Sequence, residues 1–466
     1  MTPSAKAQWN AASDKEMAIL KNNNVYTLLP ATSVPAGHKL TGSRWVYKVK
    51  MDNSHKGCVV VLGCGQLPGI DCGSTFAPAC RLQSIRMVLT VAPEYNLECW
   101  QLDYNNAFLN ADVTEVVYVK MAPRYEKFDE NGVPLVMRLL KSLYGLRQSP
   151  ANWWNTIDKH PVEIGFKSLK SDPCVYTYSE CGAIYILTLC VDDVFLLGKD
   201  VLVLRWIKQK LMSRLSMADM GDVSLVLGMG VTRDREKSTM TITQEKYTES
   251  VLERYGMASC NSTHTPGVGK ELSLDQPEER LLRKEEKQRF QAITGSVMYL
   301  GQVTRYDILY AVNQLARAMS KPSKAHMAAA KNLLRYLAGT VDFAITYKQG
   351  GFKLIAFSGA NWGNNQDNGK SMSSYIVFLA NAPVSFKVRL QGLTAQSTMQ
   401  AEPVAAALAM KEAVFCFNMM TELGFGTTST AYHCISTTPR LCTSPEIGPT
   451  VRELSTWLYG TSLSRS

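Results

Sequence analysis

Two adjacent acids, Asp192 and Asp193, lie between two apolar runs, Ala183 to Leu189 before them and Val194-Phe195-Leu196-Leu197 after them. Strand-forming residues around so short a polar break predict a tight β-hairpin with both carboxylates at its tip. Carboxylates grouped on rigid strands suit Mg²⁺, a hard cation that takes oxygen ligands and also binds phosphates. Taken alone, an acid pair of this kind is most often an ordinary polar turn. A further acid strengthens the metal reading. Gln101-Leu102-Asp103 closes a strand-like segment that begins at Asn96, and Ala107-Phe108-Leu109 opens what reads as a helix. Converging carboxylates are what two-metal phosphoryl transfer requires: one ion activates the attacking hydroxyl and the other steadies the leaving pyrophosphate. The plainer role for Asp103 is a helix N-cap.

The pair Gly63-x-Gly65 with Gly69 follows the apolar run Val59-Val60-Val61-Leu62 and invites a dinucleotide-binding reading. That fingerprint needs G-x-G-x-x-G opening a helix. Here the third glycine comes one place late and Asp71 to Pro78 has no helical pattern, so the reading fails.

Elements that would position the acids are visible along the chain. Ser4 to Asn22 has helical spacing of Trp9, Ala12, Met17 and Leu20 and stops at Asn22-Asn23-Asn24. Ser43 to Lys50 alternates apolar and basic residues, as a strand does, and Leu82 to Ala92 returns to helical spacing. Ser171 to Gly198 is rich in strand formers. Gly256 to Arg289, with Pro266, Gly267, Pro277 and the run Arg283-Lys284-Glu285-Glu286-Lys287, reads as a polar linker or a mobile surface excursion between units. Ser323 to Leu337 reads as a helix with Ser323 as N-cap and Gly339 as the left-handed residue past its end.

Composition bounds the rest. A chain of 466 residues predicts two to four compact units. Apolar content of 46% with 19% charged residues excludes wholesale disorder. Fifty Lys and Arg against 40 Asp and Glu give a net charge of +10, which favours a polyanionic partner. The 12 cysteines are scattered, without the C-x₂-C spacing of a zinc site, and the N-terminus MTPSAKAQWN lacks a secretory h-region. Reduced thiols in the cytoplasm or nucleus, not secretion, are the expectation. No membrane span is expected, because the most apolar stretch, Ala183 to Gly198, carries Asp192 and Asp193 at its middle.

The order Trp45-Val46-Tyr47-Lys48, Gly69-Ile70-Asp71, Thr75-Phe76-Ala77-Pro78, Ser84-Ile85-Arg86 and Gln101-Leu102-Asp103 resembles the reverse transcriptase of copia-type retrotransposons. The resemblance continues through Ala107 to Asn110, Tyr144-Gly145-Leu146-Arg147-Gln148, Val191-Asp192-Asp193, Leu227-Gly228, Gly295 to Leu300 and Leu334 to Thr340. It is colinear up to about Gly424, and integrase, protease and capsid regions are absent. The resemblance implies an α+β fold: a right-hand polymerase with fingers, palm and thumb, followed by a smaller α/β RNase H-like domain. It divides the chain into a helical segment (1–24), fingers, palm and part of the thumb (25–265), linker and thumb or connection helices (266–350), RNase H-like domain (351–426) and an atypical tail (427–466).

By the same resemblance Asp103, Asp192 and Asp193 are the catalytic carboxylates that hold Mg²⁺ or Mn²⁺, with Asp103 and Asp192 as direct ligands. Phe108 matches the aromatic that screens the 2′ position of an incoming sugar, Gln148 the glutamine near the nucleotide, and Lys56 the lysine facing its triphosphate. The implied partners are an RNA or DNA template with its primer, and deoxynucleoside triphosphates. Arg44, Lys48 and Lys50 would follow phosphates or form a solvated strand face.

Departures from the family pattern are as informative as the matches. Where the family carries Lys-Ala-Arg-Leu-Val, this chain reads Lys56-Gly57-Cys58-Val59-Val60, so a thiol replaces a guanidinium that bonds phosphate bidentately. The segment from Asp52 to His55 is also shorter than in the family. Cys190 and Cys72 stand where the family has tyrosine. In the RNase H-like region, Ser358-Gly359-Ala360-Asn361-Trp362 replaces Ser-Asp-Ala-Asp-Trp, leaving Glu402 as the matching acid; none occurs near Tyr432-His433-Cys434. One carboxylate is too few for two metal ions, and this domain is expected to be inactive. Ser436 to Ser466 is foreign to the family, as a shifted reading frame would make it. Two functions are therefore expected to compete: a polymerase with a dead RNase H, or an inert remnant that at most binds nucleic acid.

Overall fold

The computed structural model describes residues 3–49, 53–267, 272–363, 365 and 367–426. The expectations for the tail, for Lys50 and for Asp52 fall outside these residues.

Helix α1 (Pro3–Asn22) buries Ala12, Ser13, Glu16 and Leu20, and Asn24 ends it in the left-handed region at φ 51°. After β1 (Tyr26–Pro30) and β2 (Leu40–Thr41), strands β3 (Ser43–Val49) and β4 (His55–Val61) pair as an antiparallel ribbon against which α1 packs. Helix α2 (Leu82–Tyr95) leads into β5 (Glu98–Tyr104), and β6 (Tyr118–Lys120) and β7 (Leu135–Leu139) complete a sheet ordered β1-β7-β6-β2. The expected strand from Asn96 starts two residues later because Asn96, at φ 49°, forms the left-handed cap of α2.

Next come α3 (Ser149–Ile157), α4 (Lys159–Ile164), β8 (Lys167–Ser168), β9 (Val175–Glu180), β10 (Ala183–Cys190), β11 (Asp193–Gly198), α5 (Val201–Arg214) and β12 (Met217–Asp222). They build the central antiparallel sheet, ordered β12-β5-β11-β10-β9-β8. Its strands are apolar on both faces. Cys99, Ile186, Cys190, Phe195 and Leu197 share a core with Ile85, Val88 and Leu89 of α2. The alternate residues Leu102, Leu187, Leu189, Val194 and Leu196 pack with Trp153 of α3 and Leu204, Ile207 and Leu211 of α5. This period-two division is why both strands read as continuous apolar runs. Each such side chain contributes about 1.5–3 kcal/mol when fully buried.

Strands β13 (Leu225–Val226), β14 (Met229–Asp234) and β15 (Thr239–Thr243) precede four helices, α6 (Glu245–Arg254), α7 (Lys284–Val303), α8 (Leu309–Arg317) and α9 (Lys324–Ala338). The chain then returns as β16 (Ala344–Lys348), which pairs with β15 from Thr239↔Lys348 to Thr243↔Ala344. A division at 265 therefore cuts through one sheet. The charge run at Arg283 belongs to α7 and not to a linker: Glu285 and Glu286 occupy its first turn, and Glu286 accepts from the Arg283 amide at 3.2 Å. Ser323 caps α9 with His326 in the usual glutamate place, His326 Nδ1 accepting from the Ser323 amide at 3.1 Å. Gly339 is not left-handed (φ −87°). Its glycine is needed for close approach, since a Cβ there would lie 2.7 Å from the Ser262 side chain.

Finally β17 (Leu354–Asn361), β18 (Met372–Leu379) and β19 (Ala382–Leu390) form an antiparallel sheet covered by α10 (Thr398–Glu422). Among the described residues α10 is the one helix long and apolar enough to cross a membrane. Its stripe Ala401, Ala405, Ala409, Ala413 and Cys416 is buried, which accounts for its composition as a core helix. The fold class is mixed α/β.

Arg86 joins these parts. Its guanidinium donates to the carbonyls of Val384 (3.1 Å), Gln302 (2.7 Å) and Val303 (2.5 Å) and lies 4.3 Å from the Phe386 ring centre. Burial lowers its pKa to about 10. Arg86→Met leaves three carbonyls, two of them on fully buried residues, without their donor and should cost about 3 kcal/mol in urea unfolding. Arg86→Lys should fail to restore it, because one ammonium cannot reproduce the planar fork.

Candidate functional site

The last pair of the β10–β11 hairpin is Cys190↔Asp193, so the turn is Val191-Asp192 and only Asp192 stands at the tip. The expected pair at the tip is thus divided: Asp193 is already in the ladder. Val191 takes a left-handed φ of 61°, a strained choice for a β-branched residue. Two bonds fix the turn in that shape. Trp153 Nε1 donates to the Val191 carbonyl at 2.8 Å, and the Tyr104 amide donates to the Asp192 carbonyl at 2.9 Å.

Strand β5 lies beside β11 with Asp103 directly opposite Asp193. Directly opposed side chains on one sheet face are close neighbours, and like charges there repel. Asp103 is therefore a strand residue and not a helix cap; the segment after it is a short 3₁₀ turn, Ala107–Asn110, preceded by Asn106. Gln101 Nε2 donates to Asp193 Oδ1 at 3.1 Å. Burial raises the Asp193 pKa, Gln101 lowers it, and Asp103 raises it again. Asp192 is pushed up to about 6, first by burial and then by Asp103 and Asp193, with Lys56 and the Tyr144 hydroxyl opposing. That hydroxyl donates to Asp192 Oδ2 at 3.5 Å, while Asp192 Oδ1 is buried without a hydrogen-bond partner.

An unbonded buried carboxylate oxygen beside two further acids is a donor set that fits a divalent cation. Among the described residues no three His, Cys, Asp or Glu side chains, the three acids of this corner included, are grouped so that they could hold a metal ion by themselves. Mg²⁺ does not need such a cage, because it is commonly held by one or two carboxylates together with substrate phosphates.

The other sequence-derived residues divide. Lys56 is exposed on β4, opposite Lys48, and near enough to favour the ionised form of Asp192. Phe108 is half-buried, its ring centre 4.8 Å from that of Tyr144 in an edge-to-face contact. Gln148 is fully buried. Its Nε2 donates to the Asp71 carbonyl (2.9 Å) and Glu115 Oε2 (3.3 Å), and its Oε1 accepts from Gln66 (3.0 Å). Arg44 is exposed on β3. A second corner brings Gly359 and Glu402 together: Gly359 lies in β17 opposite Ser374, and the next amide, Ala360, donates to Glu402 Oε2 at 3.2 Å. Asn361 ends β17 opposite Met372. Sequence reasoning left Gln101, Tyr144 and Trp153 without roles. For Tyr144 a signal existed, since it heads one of the resembling motifs.

Residues 23–269 match the family described as reverse transcriptase (RNA-dependent DNA polymerase), more than half of this chain. The chain belongs to the reverse transcriptase family. Within it, the resemblance is to the copia type. The chain is 33% identical over 443 residues to the retrovirus-related Pol polyprotein from transposon TNT 1-94 of Nicotiana tabacum, a match covering 92% of this chain and 33% of that one. It is 31% identical over 424 residues to the corresponding polyproteins from transposons RE2 and RE1 of Arabidopsis thaliana, covering 90% of this chain and 28% of each. The chain thus spans about a third of the length of these relatives.

The electrostatics make a stability prediction. A carboxyl whose folded pKa lies above its unfolded value favours the fold while protonated, and that contribution is lost as pH rises through about 6. Asp192→Asn mimics the protonated acid. Without metal it should raise the melting temperature at about pH 7.5, with a gain on the order of 1 kcal/mol, and the gain should disappear near about pH 4. Added Mg²⁺ should stabilise the wild type more than the variant.

Proposed function

We propose that the chain is an RNA-directed DNA polymerase of a copia-type polyprotein, with fingers and palm in residues 25–265 and an inactive RNase H-like domain in 351–426. One observation carries this reading: strand register gathers Asp103, Asp192 and Asp193 in one corner, with a buried oxygen of Asp192 unbonded. Asp103 and Asp192, with Asp193 beside them, would hold Mg²⁺ or, in its place, Mn²⁺. When bound, such ions neutralise phosphate charge and ease deprotonation of a primer 3′-hydroxyl.

The chain's own residues do the rest. The Trp153 and Tyr104 bonds fix the Asp192 turn, so that the carboxylate need not be ordered at the moment of reaction. Gln101 orients Asp193. Lys56 offers positive charge to the triphosphate of a deoxynucleotide, and Phe108 offers its ring to the sugar. Cys58 supplies no guanidinium for that triphosphate, which should appear as weak nucleotide binding. A templated primer, of RNA or DNA, would lie along basic surface such as Arg44 and Lys48. The compartment proposed is the cytoplasm or nucleus, on the scattered cysteine spacing of the sequence. In the second corner, Gly359 offers no carboxylate beside Glu402, which supports an inactive RNase H site.

Two losses, Cys58 and Gly359, favour a second reading in which the protein is an inert remnant that only binds nucleic acid. Primer extension on a homopolymer template, with Asp192→Ala as control, separates the two. Extension above that control, with a high KM for the nucleotide, is expected; extension equal to it would leave only the remnant. RNA cleavage in the hybrid should not exceed background. Cleavage that vanishes in Glu402→Gln would overturn the inactive RNase H.

A further inference from the structure

We infer that Tyr144, and not Gln148, is the residue of the Tyr144–Gln148 segment that meets the incoming nucleotide, and that with Phe108 it forms the wall selecting deoxyribose over ribose. The inference rests on the polymerase reading above and assigns it a specificity-determining residue.

Gln148 cannot present its amide to a nucleotide without breaking its own scaffold. It is fully buried, and its carbonyl and amide groups are taken by Gln66, the Asp71 carbonyl and Glu115. Its contribution is to hold the segment in place. Tyr144 has the opposite surroundings. It is half-buried at the acid corner, its hydroxyl reaches Asp192 Oδ2 at 3.5 Å, and its ring meets the Phe108 ring edge-to-face at 4.8 Å. It spans the interval between the acids that face phosphates and the ring that faces the sugar.

The backbone fixes Tyr144 at that spot. Its carbonyl accepts from the Val61 amide at 2.8 Å, which ties it to the end of β4. The next residue, Gly145, has φ 93°, and a Cβ there would collide with the Val61 carbonyl. The segment therefore lies flat against β4 with little freedom to withdraw. A ring whose backbone is tied to β4 and which abuts Phe108 limits how far Phe108 can yield to a 2′-hydroxyl. Removing the ring opens the space; removing only the hydroxyl does not.

The test compares deoxy- and ribonucleoside triphosphates in two ways: by primer extension, and by the nucleotide-dependent stability of a protein–template–primer complex with a chain-terminated primer and Ca²⁺, which needs no turnover. Tyr144→Ala should lower the deoxy-over-ribo preference about tenfold, and Tyr144→Phe should stay within about twofold of wild type. Gln148→Ala should weaken both nucleotides together and leave the ratio unmoved. Tyr144→Leu, which keeps bulk without a planar edge, replaces the alanine variant if that one does not fold. An unchanged ratio in Tyr144→Ala or Tyr144→Leu, or a changed one in Gln148→Ala, overturns the inference while the polymerase reading stands. If the wild type neither extends the primer nor forms the nucleotide-dependent complex, the polymerase reading fails and the inference falls with it.

Discussion

Mutual repulsion of three carboxylates in a half-buried corner is the constraint around which the central sheet is built. Asp103 and Asp193 face each other across a strand pair, and Asp192 follows at the turn. Nothing local favours this arrangement, and burial makes it worse. It persists because β5, β10 and β11 are clamped between two apolar layers, one with α2 and one with α3 and α5. A slip of one residue between β5 and β11 would place Asp103 and Asp193 on opposite faces and turn one strand's polar residues into the opposite apolar layer. The cores on either side therefore set the spacing of the acids.

How far the sequence revealed this depended on the range of the interactions. The β10–β11 hairpin, α2 and α9 are written in local periodicity, and their residues were readable as such. The position of Asp193 inside the ladder, with only Asp192 at the tip, depends on the cross-strand pair with Cys190, which no local pattern displays. The Arg283 run looked like a linker because charge is common to solvated loops and to first helical turns; the Glu286 cap decides between them. Pairing of β16 with β15 across some hundred residues was out of reach from local pattern alone. For the site, the three acids were legible as chemistry. The roles of Trp153 and Gln101 were not, because each acts through a partner distant in sequence.

The cysteines separate fold from chemistry. Cys190 packs in the apolar layer beneath the acids, and Cys99, Cys174 and Cys416 are buried, with thiol pKa values raised mainly by desolvation. In such places a cysteine behaves as a small hydrophobe and the scaffold tolerates it. Cys58 lies on the half-exposed face of β4 that also carries Lys56. A chain can thus keep its architecture while losing individual chemical groups at its working surface. A sound core is no measure of how well that surface works.

The return of β16 to β15 also governs where such a chain can be shortened. The excursion through α6 to α9 leaves from one strand and re-enters on its neighbour, so the two ends of that helical unit are side by side. Any product ending before Ala344 would leave β15 as an open edge, with a row of amides and carbonyls facing water. Edges of that kind recruit other chains. A fragment trimmed at residue 269, where the family match ends, would carry that open edge and should pair with its own copies.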